Sequence, residues 1–256
     1  MSKSFIPETK LSCKDKNFPA ETEMPKTSSK KREPAIIAVH SEDKTGISPK
    51  PPQDHPLSMP RGSRVCLLAP PGHGKTSTIK NLLLRSSPYA AVVVISGVGE
   101  HTHEWDKVVH TKTDFTEANE NWWGALSKQH KGRPLACVVD DMSYADLSPK
   151  ERSNAYKLVQ FVCTHLNVTC FMASHSWVQL IPRLRRACNV VVMWPPTNGG
   201  ADQLPYIARS LGLPKKLLEE AFGECAPKYE PIVVYTDPPP GRNTVMVGFD
   251  RPFYQA

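Results

Sequence analysis

The stretch VCLLAPPGHGKTSTIKNLLL, Val65 to Leu84, joins an apolar β-like run, a turn of small residues and an amphipathic helical pattern. A phosphate-binding loop reads G-x-x-x-x-G-K-[ST], and Ala69-Pro70-Pro71-Gly72-His73-Gly74-Lys75-Thr76 keeps that pattern except for its first glycine. The first position ends the strand and tolerates a small side chain. Gly72 and Gly74 let the backbone curl so that successive N–H groups point at a β-phosphate. The helix that starts there adds the positive end of its dipole. Lys75 then reaches the β- and γ-phosphates, and the Thr76 hydroxyl binds Mg²⁺. The expected nucleotide-binding set is Pro71, Gly72, His73, Gly74, Lys75, Thr76 and Ser77, with ATP and Mg²⁺ as ligands.

Outward from this stretch, strands and helices alternate. Apolar, β-branched-rich runs occur at 65–69, 91–96, 135–140, 168–174 and 189–194, and two more at 232–236 and 244–249. Helical patterns lie between most of them. The expected fold is α/β of the P-loop NTPase type: a mostly parallel, helix-flanked sheet with added C-terminal edge strands. The clearest helix opens at Ser148-Pro149-Lys150-Glu151, a capping serine, a proline at the first helical position and a glutamate three residues after the cap. Ala155, Leu158, Val159, Val162 and Leu166 then share one face. Pro238-Pro239-Pro240-Gly241 reads as a hairpin loop at the sheet edge.

Residues 1–60 hold nine prolines, many charges and no sustained apolar periodicity, which predicts a disordered Pro/Lys-rich tail before an ATPase domain at 61–256. The Lys30-Lys31-Arg32 cluster fits solvated tail lysines better than a nuclear address or a nucleic-acid arm. A hydrophobic content of 39% over 256 residues supports a real core. No apolar run reaches the roughly 18 residues of a membrane helix, and MSKSFIPETK has no signal-peptide core, so a soluble protein with no membrane partner is expected. Seven cysteines without a C-x-x-C pair read as reduced core residues of a cytosolic or nuclear protein, Cys66, Cys137 and Cys170 each lying in a β-like run. The net charge is +7; residues 1–60 carry ten Lys/Arg against eight Asp/Glu and the remainder 22 against 17, so the excess lies mainly in the folded part. Contact with nucleic acid is compatible with that balance.

A P-loop enzyme also needs an acid at the end of a neighbouring strand. Leu135-Ala136-Cys137-Val138-Val139-Asp140-Asp141 supplies a pair: Asp140 for the Mg²⁺ hydration shell, and Asp141 as the base or water-orienting group beside the γ-phosphate. The next apolar strand finishes at Ser174-His175-Ser176, where His175 is the candidate to touch the γ-phosphate and report its loss. Arg183, Arg185 and Arg186 follow. Such a cluster serves as a solvated helix face, a DNA grip, or a source of a guanidinium for a neighbouring subunit's nucleotide. His101-Thr102-His103-Glu104 reads as solvated loop, and Trp105, Trp122 and Trp123 as core aromatics before base-stacking platforms. No Asn-Lys-x-Asp motif of a GTPase switch occurs. The arginine segment leaves room for a small-molecule or nucleoside kinase lid, and the intact Lys75, Thr76, Asp140 and Asp141 set disfavours a passive nucleotide binder.

The order of these features resembles the packaging ATPases of double-stranded-DNA viruses (poxvirus-like, polinton-like and adintovirus-like) in the FtsK–HerA superfamily. The segments that carry the resemblance are PPGHGKTS, ACVVDDMS, THLNVTCFMASHS and IPRLRRACNVVVMW, spanning Arg64 to Trp194 closely and extending loosely to Asp250. The helix ending in His165-Leu166-Asn167 after the paired aspartates is the more telling part. Glutamine is usual in that family where His175 stands, and the trans-acting arginine falls on Arg185 or Arg186, with Arg185 fitting the spacing slightly better. The resemblance implies a ring of identical subunits that hydrolyses ATP to thread double-stranded DNA into a capsid, beside a capsid vertex protein. It also implies the host nucleus or cytoplasm during virus assembly, or the virion, and no secretion. Related translocases and helicases of the same superfamily are the nearest alternative.

Overall fold

Strands that are apolar on both sides need cover on both faces, and the central strands of this chain are of that kind. In the computed structural model β1 (Arg64–Leu68), β2 (Ala91–Ser96), β3 (Thr111–Thr113), β4 (Leu135–Asp140), β5 (Val168–Ser174) and β6 (Val190–Met193) are mutually parallel. Three antiparallel strands follow at one edge: β7 (Ile232–Tyr235), β8 (Val245–Val247) and β9 (Arg251–Tyr254). The nine strands form one sheet in the order β3-β2-β4-β5-β1-β6-β7-β8-β9. The structure describes residues 59–85, 89–96, 105–106, 111–140, 142–196, 201–225, 230–238 and 244–254. Residues 1–58 of the expected tail, the His101–Glu104 stretch, Asp141 and most of the Pro238–Gly241 loop lie outside them.

Alternation along the strands sorts the core into two layers. Cys66, Leu68, Cys137, Val139, Cys170 and Met172 pack with Trp123 of α2 (Glu120–Gln129), Ala155 of α3 (Pro149–Lys157) and Leu184 of α5 (Pro182–Ala187). Leu204 of α6 (Leu204–Leu211) and Leu218 of α7 (Lys215–Gly223) join the same layer. The intervening residues Val65, Leu67, Ala136, Val138, Phe171 and Ala173 pack on the other face with Ile79, Leu82 and Leu83 of α1 (Lys75–Arg85), and with Trp105. Met59 is buried in this second layer, so packing reaches two residues ahead of position 61. Burial pushes the Cys66 and Cys163 thiols well above their ordinary range, which keeps them protonated and inert in the core.

Ser148 caps α3 as its sequence predicts: its Oγ accepts from the Glu151 amide at 3.3 Å, and Glu151 Oε2 accepts from the Ser148 amide at 2.8 Å. Those bonds hold the Glu151 carboxyl below its usual range. The helix then widens into a π segment, Leu158–Val162, in which the Cys163 amide donates five residues back to Leu158, before a last turn, α4 (Cys163–His165). Asn167 ends the run at φ 56°, a left-handed position that asparagine tolerates, and its carbonyl accepts from Leu135 N at 3.1 Å. The His-x-Asn turn is therefore the joint between this helix and the β4–β5 pair.

Two strands are not legible in the apolar pattern. β3 is the polar triplet Thr-Lys-Thr, and β9 is a half-exposed edge containing Pro252.

Gly62, just ahead of β1, has φ +67°, and a Cβ there would lie 2.6 Å from the Cys163 carbonyl oxygen. Gly62→Ala is expected to cost roughly 2–4 kcal/mol, from the left-handed backbone and the crowding together. A urea denaturation midpoint equal to the wild type would show that β1 does not depend on this close approach.

Candidate functional site

β5 lies between β1 and β4, and the three strands are parallel, so their C-terminal ends open on one crevice. The pairing of Leu68 with Ser174 sets the start of the phosphate loop beside the start of the His175 turn. The Ala69 amide extends this contact by donating to Ser174 O at 3.3 Å.

The loop turns as expected, with Gly72 at φ 73° and Gly74 at φ 87°, a region that other residues rarely adopt. Neither glycine has a close neighbour where a Cβ would sit, so backbone conformation is what requires glycine there. The Gly74 carbonyl accepts from Thr78 N at 2.8 Å, so the loop runs straight into α1. Lys75 is 7% exposed and its ammonium turns back onto its own loop. Nζ donates to Ala69 O at 2.7 Å, to Pro70 O at 3.1 Å and to His175 Nδ1 at 3.0 Å. An ammonium has no acceptor, so Nδ1 is the acceptor in that last pair and the ring proton sits on Nε2. The 3.3 Å approach of the same Nδ1 to Ala69 O is then not a second hydrogen bond.

On the β4 side, Asp140 is 4% exposed at the strand end. Its Oδ2 lies 3.4 Å from the Thr76 hydroxyl and accepts from the Trp105 indole N–H at 3.1 Å. Thr76 and Asp140 give two hard oxygen donors at one point, which suits Mg²⁺, an ion that keeps most of its own waters. Among the described residues no larger cluster of candidate metal ligands exists. The fold thus brings together Lys75, His175, Thr76 and Asp140. The predicted base, Asp141, lies outside the described residues.

The Arg183 guanidinium stacks on Tyr156 and that of Arg185 on Tyr206, each about 5.1 Å from the ring centroid. Arg185 Nη1 is buried without a hydrogen-bond partner, and Arg186 is exposed.

Two features of the site carry no sequence signal. Trp105 is buried, as its core reading requires, but its contact with Asp140 joins residues that no local spacing links. A mostly apolar cavity also flanks the loop on the β6 side. Leu68, Pro70, Trp177, Met193, Trp194 and Gln203 line it, together with α6 and α7 side chains. Gln203 Oε1 pins its wall by accepting from Ser176 Oγ at 2.9 Å and Trp177 N at 3.2 Å.

A parallel sheet with a phosphate loop at the end of β1, and an acid strand one strand removed, defines a P-loop NTPase fold. Among solved structures, the chain is similar to the genome packaging NTPase B204 from Sulfolobus turreted icosahedral virus 2 in complex with ATP-gammaS. The TM-score is 0.53 at 12% identity, covering 75% of this chain and 98% of that one. B204, the DNA-packaging ATPase from Sulfolobus turreted icosahedral virus, matches at TM-score 0.51 and 10% identity, over 77% of this chain and 100% of that one. The cytoplasmic domain of the Thermomonospora curvata type VII secretion ATPase EccC matches at TM-score 0.50 and 13% identity, over 77% of this chain and 26% of that one. At these identities the likeness establishes the fold. No protein-family model and no curated protein matches the chain.

Lys75→Ala is expected to weaken binding of a fluorescent ATP analogue by about 100-fold or more, since charged hydrogen bonds contribute about 1.5–3 kcal/mol each. His175→Gln, which keeps an acceptor for the ammonium, is expected to bind within a few-fold of wild type. Equal loss in both variants would mean that the imidazole has a role beyond accepting from Lys75.

Proposed function

We propose that the chain is an ATP-driven motor that moves double-stranded viral DNA into a capsid. The observation that carries this reading is the meeting of Lys75, His175, Thr76 and Asp140 at the ends of three parallel strands. Its setting is a fold similar to a packaging NTPase over 98% of that protein's length.

Phosphate oxygens of ATP replace the Ala69 and Pro70 carbonyls as partners of the Lys75 ammonium, while the loop amides face the β-phosphate. His175, released from Lys75, donates its ring N–H to the γ-phosphate, so its contact differs between ATP and ADP. The cavity flanked by Trp177 and Trp194 receives the base. Thr76 and Asp140 hold Mg²⁺, which offsets the charge of the β- and γ-phosphates. Asp141, next in sequence, orients or deprotonates the attacking water. Residues 61–256 form the motor domain and residues 1–60 a tail. The excess of Lys/Arg over Asp/Glu in the former, 22 against 17, suits contact with a phosphate backbone without reading bases.

Identical subunits form a ring at a capsid vertex, in the host nucleus or cytoplasm during assembly. One of Arg185 and Arg186 acts on the neighbour's γ-phosphate. Stacking on Tyr206 holds the Arg185 guanidinium with little freedom left to lose, which favours Arg185 for that task. The likeness to a secretion ATPase favours one second reading, a related translocase acting outside packaging.

ATP turnover with and without linear double-stranded DNA, on size-fractionated protein, tests the motor. Stimulation confined to an oligomer supports it, and turnover indifferent to DNA overturns it. The shared site has its own check. Arg185→Ala or Arg186→Ala is expected to bind ATP and assemble while losing about 10³–10⁵ in rate. Mixing that variant with Lys75→Ala restores some activity, because one interface type then pairs an intact phosphate loop with an intact arginine. Full activity in both arginine variants, or none after mixing, removes the shared site.

A further inference from the structure

We infer that Trp105 is a positioning residue that orients the Asp140 carboxylate toward Thr76 through its indole N–H. The inference rests on the nucleotide reading above and adds to it a residue outside the phosphate loop and the acid strand. Trp105 comes from the connection between β2 and β3, and it is only 2% exposed in the core layer that packs α1 against the sheet. Its Nε1 donates to Asp140 Oδ2 at 3.1 Å, and the same oxygen lies 3.4 Å from Thr76 Oγ1. The indole is itself held in place. Lys80, four residues after Thr76 in α1, sets its ammonium 5.4 Å from the centroid of the ring.

The two contacts use opposite parts of one ring. A cation is attracted to the electron-rich face and an anion to the polarised N–H at the edge. Lys80 and Asp140 therefore both hold the indole, one at its face and one at its N–H edge, and α1 and β4 are tied together through it. An indole can only donate and does not titrate, so the donor side of this bond does not depend on pH. A carboxylate offers about four acceptor sites, so one N–H bond fixes its rotamer without exhausting its capacity for a hydrated cation. Outer partners of this kind set the orientation of metal-side ligands, and losing one typically costs about 10–100-fold in metal affinity or activity. Loss of packing alone would weaken nucleotide binding with and without Mg²⁺ alike, whereas loss of the N–H acts on the Mg²⁺-dependent part.

Trp105→Phe keeps an aromatic face but removes the pyrrole part of the indole, donor and volume together, so the metal-free control separates the two losses. Binding of a fluorescent ADP analogue in EDTA is expected to stay within twofold of wild type. The Mg²⁺ concentration that half-saturates tight binding of adenylyl imidodiphosphate is expected to rise about 10-fold. Unchanged Mg²⁺ dependence in a folded Trp105→Phe chain overturns the inference. If that variant fails to fold, the indole N–H resonances of the ¹⁵N-labelled natural chain decide. One of them is expected to move when Mg²⁺ is added to the analogue-bound protein, and Asp140→Asn is expected to displace that same resonance. No indole resonance that responds to both overturns the inference. A wild-type chain that binds no nucleotide in EDTA or Mg²⁺ overturns the nucleotide reading and this inference with it. Failure confined to Trp105→Phe leaves that reading standing.

Discussion

The polar groups of the site depend on the parallel register of β1, β5 and β4. Leu68 pairs with Ser174, and Val139 with Met172, so the phosphate loop, the His175 turn and Asp140 leave the sheet at matching heights. Side chains alternate along a strand, and a slip of one residue would send each of them to the opposite face. What prevents a slip is the apolar content of the strands themselves. Each has residues committed to both core layers, so any other register would expose or bury the wrong set. The chemistry is thus held in place by groups that take no part in it.

The motifs that were legible in the sequence are those whose parts are neighbours in it. Gly72, Gly74, Lys75 and Thr76 form one local turn, and Asp140 ends an unmistakable apolar strand, so spacing alone revealed them. Seven strands were legible for the same reason. β3 was not, because Thr-Lys-Thr has no apolar pattern and is a strand only through pairing with Val93, Val94 and Ile95. The hydrogen bond between Lys75 and His175 joins residues a hundred positions apart, and that between Trp105 and Asp140 joins residues 35 apart. Only the fold brings such pairs together. The arginine cluster was visible, whereas the stacking of Arg185 on Tyr206 depends on how α5 meets α6.

The π segment at Leu158–Val162 belongs with this contrast between local and distant information. Its residues fit an ordinary amphipathic helix, and Leu158, Val159 and Val162 are indeed buried. The wider turn adjusts the phase of the helix before it ends, so that Cys163 also faces the core and Asn167 arrives where its carbonyl meets Leu135. Gly62 leaves no room for a Cβ beside the carbonyl of that same Cys163, so the last turn of the helix meets the chain entering β1. Helix phase and strand start are in this way a single packing problem.

The two ends of the sheet also limit how copies of the chain can meet. One ends in β3, three polar residues long, and the other in β9, where Pro252 lacks an amide donor. Short, polar or proline-bearing margins are poor templates for a strand from another molecule. In the ring proposed above, contacts between copies would therefore fall to helices and loops, whose side-chain packing can be remade. A backbone ladder running from one molecule into the next would lock neighbours rigidly. Subunits of the proposed ring, joined without one, would keep the freedom to change their mutual tilt as each site fills and empties.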